Sequence, residues 1–317
     1  MTRRLAASLA GGALLLGACA LPVSTTFQRV PPAEPTAQQM AEFWVEPEPG
    51  RDLFWGAGGR ENAPDPQGRW TFVERDSTGY SRGFDVTDER GIKWSAKVGE
   101  EAQSEVVSSR LMWAVGFHQP PVYYVPSWTL SGDTGWAGHR EPARFRPELP
   151  ALKPVGEWPW QRNPFVDTQP WRGALVMMLL INNPDLKPSQ NTVYDLDPPR
   201  GGVRRWYVVR DLGLSLGETA GLWARRNDID EFEKEPFITG TGPGGRVKFH
   251  HSGRWKSLFR DLTAADVRWT CERLARLTPR QWDDVFRAAG YREDVARRYI
   301  RRFQEKIAQG LALPQGG

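Results

Sequence analysis

Between Trp70 and Val115 the apolar residues change their spacing once, from every second residue to every third or fourth, and that change restricts what the chain can build. Trp70-Thr71-Phe72-Val73-Glu74 alternates like a strand. Asp76 to Gly83 has turn chemistry, with glycines at Gly79 and Gly83, and Phe84 to Thr87 can pair back as a second strand. Asp88-Glu89-Arg90-Gly91 is another turn, and Ile92 to Val98 a third strand. Gly99 closes the unit. Glu101 to Val115 then carries Val107, Leu111, Ala114 and Val115 at helical spacing, with Glu101 and Glu105 one turn apart on one face.

Beyond this unit the pattern turns helical by stages. Pro120 to Pro126 reads as an extended strand, and 129–170 as an irregular stretch rich in Pro and Trp. Trp171 to Ile181 is apolar throughout and predicts a buried helix, followed by a polar loop from Asn182 to Gln190. Thr192–Tyr194 and Arg205–Val209 predict a hairpin around Pro198-Pro199-Arg200-Gly201-Gly202, and Asp211-Leu212-Gly213 follows directly. Three helices are expected at the end. The first opens on Thr263 with Asp266 three residues on, the second begins Thr278-Pro279, and the third is basic and runs from Asp294 to Gln309. Gly240 to Gly245 lacks the strand-then-helix context of a phosphate loop and reads as surface loop, as do its neighbours His250 and His251.

The N-terminus has a different logic. Arg3 and Arg4 precede an apolar run from Leu5 to Leu16, too short to span a bilayer and of the length of an export-signal core. It ends in Leu16-Gly17-Ala18-Cys19, which resembles the lipobox of bacterial lipoprotein signals. The resemblance implies cleavage after residue 18 and a diacylglyceryl lipid on Cys19, giving a membrane anchor. With Ala20 rather than Asp after the cysteine, it further implies a cell-envelope site, lipid-anchored at the outer membrane and facing the periplasm. Residues 19–50, rich in Pro, Glu, Thr and Gln, are expected to form a flexible tether. No later apolar run is long enough to cross a membrane.

Composition removes several classes. The formal charge is +4, and without Arg3 and Arg4 there remain 40 basic against 38 acidic residues, which offers nucleic acid no electrostatic footprint. Of two cysteines one is the expected lipid site, so Cys271 has no disulfide partner in the chain and is expected to be buried and inert. Four histidines and one spare cysteine show no zinc-ligand spacing. Most of the fifteen tryptophans should be core.

The order of elements and three short motifs resemble the protein-kinase-like fold, in particular its atypical branch: HipA-like kinases, lipid-kinase relatives and secretory-pathway kinases. The resemblance spans about residues 70 to 310. It implies an α+β bilobal fold, with a small antiparallel sheet lobe bearing one helix (51–128) and a larger, mostly helical lobe (129–313). Lys97, at the end of the third strand, would reach nucleotide phosphates and pair with a glutamate of the next helix. Glu105 is preferred, because Glu101 sits in the first turn and can serve the helix dipole. In Asn183-Pro184-Asp185-Leu186-Lys187-Pro188, which resembles a catalytic loop, Asp185 would be the base and Lys187 would steady the transferred phosphoryl group. The metal-binding asparagine is displaced here: Gln190 stands at its position and Asn191 one further, and Asn191 is favoured. Asp211 of Asp211-Leu212-Gly213 would be the other metal ligand. Gly79 and Gly83 could let backbone N–H groups approach phosphates.

The resemblance thus implies a phosphotransferase using ATP or another nucleotide with Mg²⁺ or Mn²⁺, acting on an envelope protein or small-molecule acceptor. The alternative is a catalytically inert pseudokinase serving as a binding module, with the Trp-rich stretch 128–171 as its partner surface. A carbohydrate-binding reading rests on tryptophan content alone.

Overall fold

The computed structural model describes residues 34–76, 82–132, 135, 137–219, 225–251 and 255–314. The expected signal at 1–18, the lipid site Cys19 and the turn glycine Gly79 lie outside the described residues.

After a short helix α1 (Ala37–Met40), strands β1 (Arg69–Asp76), β2 (Gly83–Thr87) and β3 (Lys93–Val98) form the expected meander. Gly99 has φ +118°, a backbone that L-residues rarely adopt, and turns the chain into helix α2 (Glu101–Ala114). Strands β4 (Tyr123–Val125), β5 (Trp128–Ser131), β6 (Gly138–Arg140) and β7 (Ala143–Pro147) complete a seven-stranded sheet among the described residues, in the order β4-β7-β3-β2-β1-β5-β6. Within it only β1 and β5 run parallel. The chain then crosses to β8 (Leu152–Glu157), helix α3 (Gln169–Leu180) and the hairpin β9 (Asn191–Arg200) and β10 (Val203–Val209). Helix α4 (Ile229–Lys234), strands β11 (Ile238–Thr241) and β12 (Val247–Phe249), and helices α5 (Ala264–Ala275), α6 (Pro279–Ala288) and α7 (Glu293–Leu311) complete the chain. The α+β, two-lobed layout expected from the sequence is the layout observed. No described helix is long and apolar enough to cross a membrane.

Each lobe has its own core. In the small lobe the inward row of β3 (Trp94, Ala96, Val98) meets Trp70, Phe84, Trp128 and Phe145. Trp70 lies 4.4 Å from Phe145 and 5.6 Å from Trp94 between ring centroids, and such pairs add about 0.5–1.5 kcal/mol each beyond buried area. The large lobe is organised on α3, whose residues from Gly173 to Leu180 are all buried. Thr168 caps that helix, with Pro170 in its first turn. Thr263 with Asp266 and Thr278 with Gln281 form reciprocal capping boxes at α5 and α6. Cys271 is buried as expected, and burial pushes its thiol up to about 12.

Several expectations are corrected. The tether does not run free to residue 50: Phe43 is buried, stacked on Phe165 at 4.9 Å, and the Val45 N–H donates to Gly116 O. Two consecutive aromatics, Phe43 and Trp44, give this otherwise polar stretch enough apolar area to dock. The stretch 129–170 is not irregular but supplies four strands, and the lobe boundary placed at 128 falls where β5 begins, inside the small-lobe sheet. Trp128, Trp158, Trp160 and Trp171 are core side chains, so among the described residues the tryptophans of this stretch face inward rather than form a partner surface. Helix α2 is buried nearly all round because it is clasped between the sheet and the large lobe. His251 is half-buried, edge-on to Phe259, rather than a surface side chain.

Candidate active site

Alternation along β3 that turns Trp94, Ala96 and Val98 into the small-lobe core turns Ser95 and Lys97 the other way, into a cleft of about 1130 Å³. Lys97, Asp185, Lys187, Gln190 and Asp211 all line that cleft. Lys97 Nζ lies 3.1 Å from Asp211 Oδ1 and 2.7 Å from Glu101 Oε2. Two groups 114 residues apart in the chain are thus brought together by the packing of the two lobes.

The preferred partner of Lys97 is corrected. Glu105 Oε2 stands 3.9 Å away, while Glu105 Oε1 is held by Arg144 at 2.9 Å and Arg146 at 2.5 Å. These arginines lie on β7 beside β3, where Arg144 pairs in register with Lys97 and Arg146 with Ser95. Glu105 is therefore engaged by the two arginines of the cleft wall, and Glu101 is the closer partner of Lys97. Glu101 is itself also paired with Arg226. Burial works against the Lys97 ammonium, but Glu105, Asp211 and Glu101 outweigh it and hold its pKa above the ordinary lysine value. Burial likewise opposes the Asp211 carboxylate, but Lys97, Arg146 and Arg144 outweigh it and hold its pKa below the usual aspartate range.

The Asp-Leu-Gly turn is seated against α2. Leu212 is buried, and Ser104 Oγ donates to Gly213 O at 2.6 Å. A Cβ at Gly213 would stand 2.7 Å from Glu101 Cβ, so glycine is what lets the first turn of α2 approach.

On the opposite wall Asp185 Oδ2 accepts from Lys187 Nζ at 3.0 Å and Gln190 Nε2 at 2.8 Å. Asn183 holds the loop from within: its Oδ1 accepts from Asp185 N, and its Nδ2 donates to Ser215 Oγ. Asn182 Nδ2 donates to Gly217 O, and Leu216 N to Ile181 O, so the end of α3 is laced to the chain following Asp211. Gln190 joins the two acidic positions. Its side chain reaches Asp185, while its carbonyl accepts from the N–H groups of Arg210 and Asp211.

Asn191 as metal ligand is corrected. It is fully buried, its Nδ2 donates to Trp158 O, and Gln190 rather than Asn191 lines the cleft. The reason is register: Asn191 opens β9 opposite Val209, and alternation turns it away from its neighbour. Gly83 lines the cleft but is not a turn residue. It opens β2, paired with Lys97, and a Cβ there would stand 2.8 Å from Asp76 Cβ. Arg144, Arg146, Arg210 and Arg226 were not expected at the cleft; the alternating Arg144-Phe145-Arg146 was the available signal for the first two.

Among the described residues no group of three or more His, Cys, Asp or Glu side chains could hold a metal alone. Mg²⁺ needs no such cage when substrate phosphates supply ligands, since one or two carboxylates then suffice. Asp211, with the Gln190 side chain lining the same cleft, fits that requirement.

No family model and no curated protein matches the chain. Among solved structures it is similar to the Golgi casein kinase, with a TM-score of 0.42 at 9% identity, covering 78% of this chain and 74% of that one. It is similar also to the Golgi casein kinase with Mn/ADP bound, with a TM-score of 0.41 at 9% identity over 78% and 73%. A third is the Helicobacter pylori proinflammatory kinase CtkA, with a TM-score of 0.43 at 11% identity, covering 77% of this chain and 96% of that one.

Proposed function

We propose that the chain is a kinase-like phosphotransferase using a metal–nucleotide, carried on a lipid anchor at Cys19 in the cell envelope, facing the periplasm. The observation that carries the reading is the convergence of Lys97, Asp185 and Asp211 on one cleft, with Lys97 and Asp211 in direct contact. Lys97, held by Glu101, binds phosphate oxygens. Asp211 with Gln190 would hold Mg²⁺ or Mn²⁺, and the ion supplies charge neutralisation of the phosphates when bound. Asp185 takes the proton of the acceptor hydroxyl as its oxygen forms a bond to the terminal phosphorus and the bond to the leaving diphosphate breaks. Lys187, 3.0 Å from Asp185, meets the charge on the transferred group.

The inert-module alternative draws on one observation: Asn191, the favoured second ligand, points away from the cleft. The test is ligand-induced stabilisation of the full chain. Mg–nucleotide at 100 times its Kd should add about 2.7 kcal/mol to unfolding, and Asp211→Ala should lose that gain. Equal stabilisation of the wild type and Asp211→Ala would remove Asp211 from the site, and no stabilisation by any nucleotide with Mg²⁺ or Mn²⁺ would remove the reading. Turnover in the wild type that disappears in Asp185→Asn separates an enzyme from an inert module. A mature chain without lipid on Cys19 would refute the anchor.

A further inference from the structure

Beyond Lys97, towards the chain that crosses between the lobes, the cleft wall becomes a cluster of guanidinium donors. Arg146 on β7 stands beside Ser95, and Arg210, the residue before Asp211, lies within electrostatic reach of it. Both line the cleft, with Tyr194 of β9. Arg146 gives one terminal nitrogen to Glu105, and its Nε has no hydrogen-bond partner. Arg210 is less satisfied still. Among the described residues its side chain makes one long hydrogen bond, 3.5 Å to Tyr194 Oη, and its Nε has none. A guanidinium withdrawn from water with donors to spare calls for an acceptor-rich ligand.

The crossing chain adds few backbone donors to this wall. Pro147 and Pro150 have no N–H, and Glu148 spends its own on Lys93 O at 2.8 Å. The donors that a flat ring meets at this end are therefore mainly the arginine side chains. Guanine and hypoxanthine present O6 and N7 as adjacent acceptors at the spacing of a guanidinium fork. Adenine replaces O6 with an amino donor, which would face the arginines donor to donor.

We propose that Arg210, with Arg146 beside it, makes this end of the cleft a keto-purine subsite, so that the nucleotide taken is GTP in preference to ATP. The proposal rests on the nucleotide-binding reading above and names its substrate. Calorimetric titration of the full chain with GTP, ITP and ATP, each with Mg²⁺ and with Mn²⁺, tests it. GTP and ITP should bind on the order of tenfold more tightly than ATP, towards the lower end of what one bidentate contact discriminates. ITP separates O6 recognition from contacts to the guanine amine. Arg210→Lys keeps the charge and loses the fork, and Arg210→Ala loses both; each should bring the GTP-to-ATP ratio to within about twofold, read within one variant and so independent of its stability. ATP binding as tightly as GTP, or a preference that survives both substitutions, overturns the keto-purine subsite and leaves the phosphotransfer reading standing. Binding of none of the three nucleotides overturns both.

Discussion

Lys97 and Lys306 are both withdrawn from water, but their surroundings differ in kind. Lys97 keeps 15% of its side-chain surface at the cleft and faces the carboxylates of Glu101, Glu105 and Asp211. Lys306, on α7, is fully buried and donates to two neutral oxygens, Leu180 O at 2.9 Å and Asn182 Oδ1 at 2.7 Å, over the ring of Phe232. The first is an ammonium set among charges that a ligand can rearrange. The second is a strut at the C-terminal end of α3, where orphan carbonyls and the helix dipole favour a donor. Through Asn182, the strut reaches the network that seats Asp185 and the chain after Asp211. One molecule thus places the same side chain once at the candidate site and once as architecture, and substitution should separate the two.

The largest effect should come from the cleft. If the proposed phosphotransfer holds, Asp185→Asn removes its proposed proton acceptor and should lower the rate by about 10²–10⁴-fold, with little change in the melting temperature. A variant that kept the wild-type rate would move the base elsewhere. At the strut the signs reverse. Lys306→Met keeps the length of the side chain but strips Leu180 O and Asn182 Oδ1 of their donor, and should cost about 2–4 kcal/mol in urea unfolding. A cost near zero would mean that the burial of Lys306 offsets all that its hydrogen bonds return.

Between these lies the contact that fastens the Asp211 turn to α2. Gly213→Ala forces a methyl against Glu101 Cβ, and either the turn or the helix must give way. The expected cost is about 1–2 kcal/mol, with weaker nucleotide binding, because Glu101 holds Lys97. Unchanged stability with unchanged binding would show the turn to be more compliant than its contacts suggest.

Those contacts also explain what the sequence made legible. Lys97, Asp185 and Asp211 were legible because strand alternation and short motifs fix their local setting, and the order of elements fixes which of them meet. The choice between Glu101 and Glu105 was not. It depends on Arg144 and Arg146, which arrive on a strand from another part of the chain and engage Glu105 first. That strand was hidden because prolines interrupt the stretch around it, so alternation over Ala143–Pro147 is brief. The placing of Asn191 failed by one residue, which in a strand is a change of face. Lys306 gave no signal: on a basic amphipathic helix it looks like any solvated lysine, and its partners lie 124 and 126 residues away.

The smallest effect is the pH dependence of stability, and there the two lysines should diverge in sign. The carboxylates around Lys97 raise its folded pKa, so its contribution is fully present below the unfolded lysine value of 10.5 and is lost as pH rises through the higher folded value. Asp211 mirrors it: its folded pKa is lowered, so its contribution is present above the unfolded value of 3.8 and is lost as pH falls through the folded one. Lys306 behaves oppositely to Lys97. Burial drives its pKa well below 10.5, aided by Arg302 and opposed by Glu235, so between the two values the unfolded chain binds more protons than the folded one. Stability from this site must therefore rise with pH across that window and level off near 10.5. Urea midpoints of the wild type and Lys306→Met, measured in steps from pH 6 to about pH 10, read this directly. The wild type should gain on the variant as pH climbs. A gap that stays constant across the series would mean that Leu180 O, Asn182 and the Phe232 ring hold the ammonium charged, and the strut would then share the electrostatic character of the cleft.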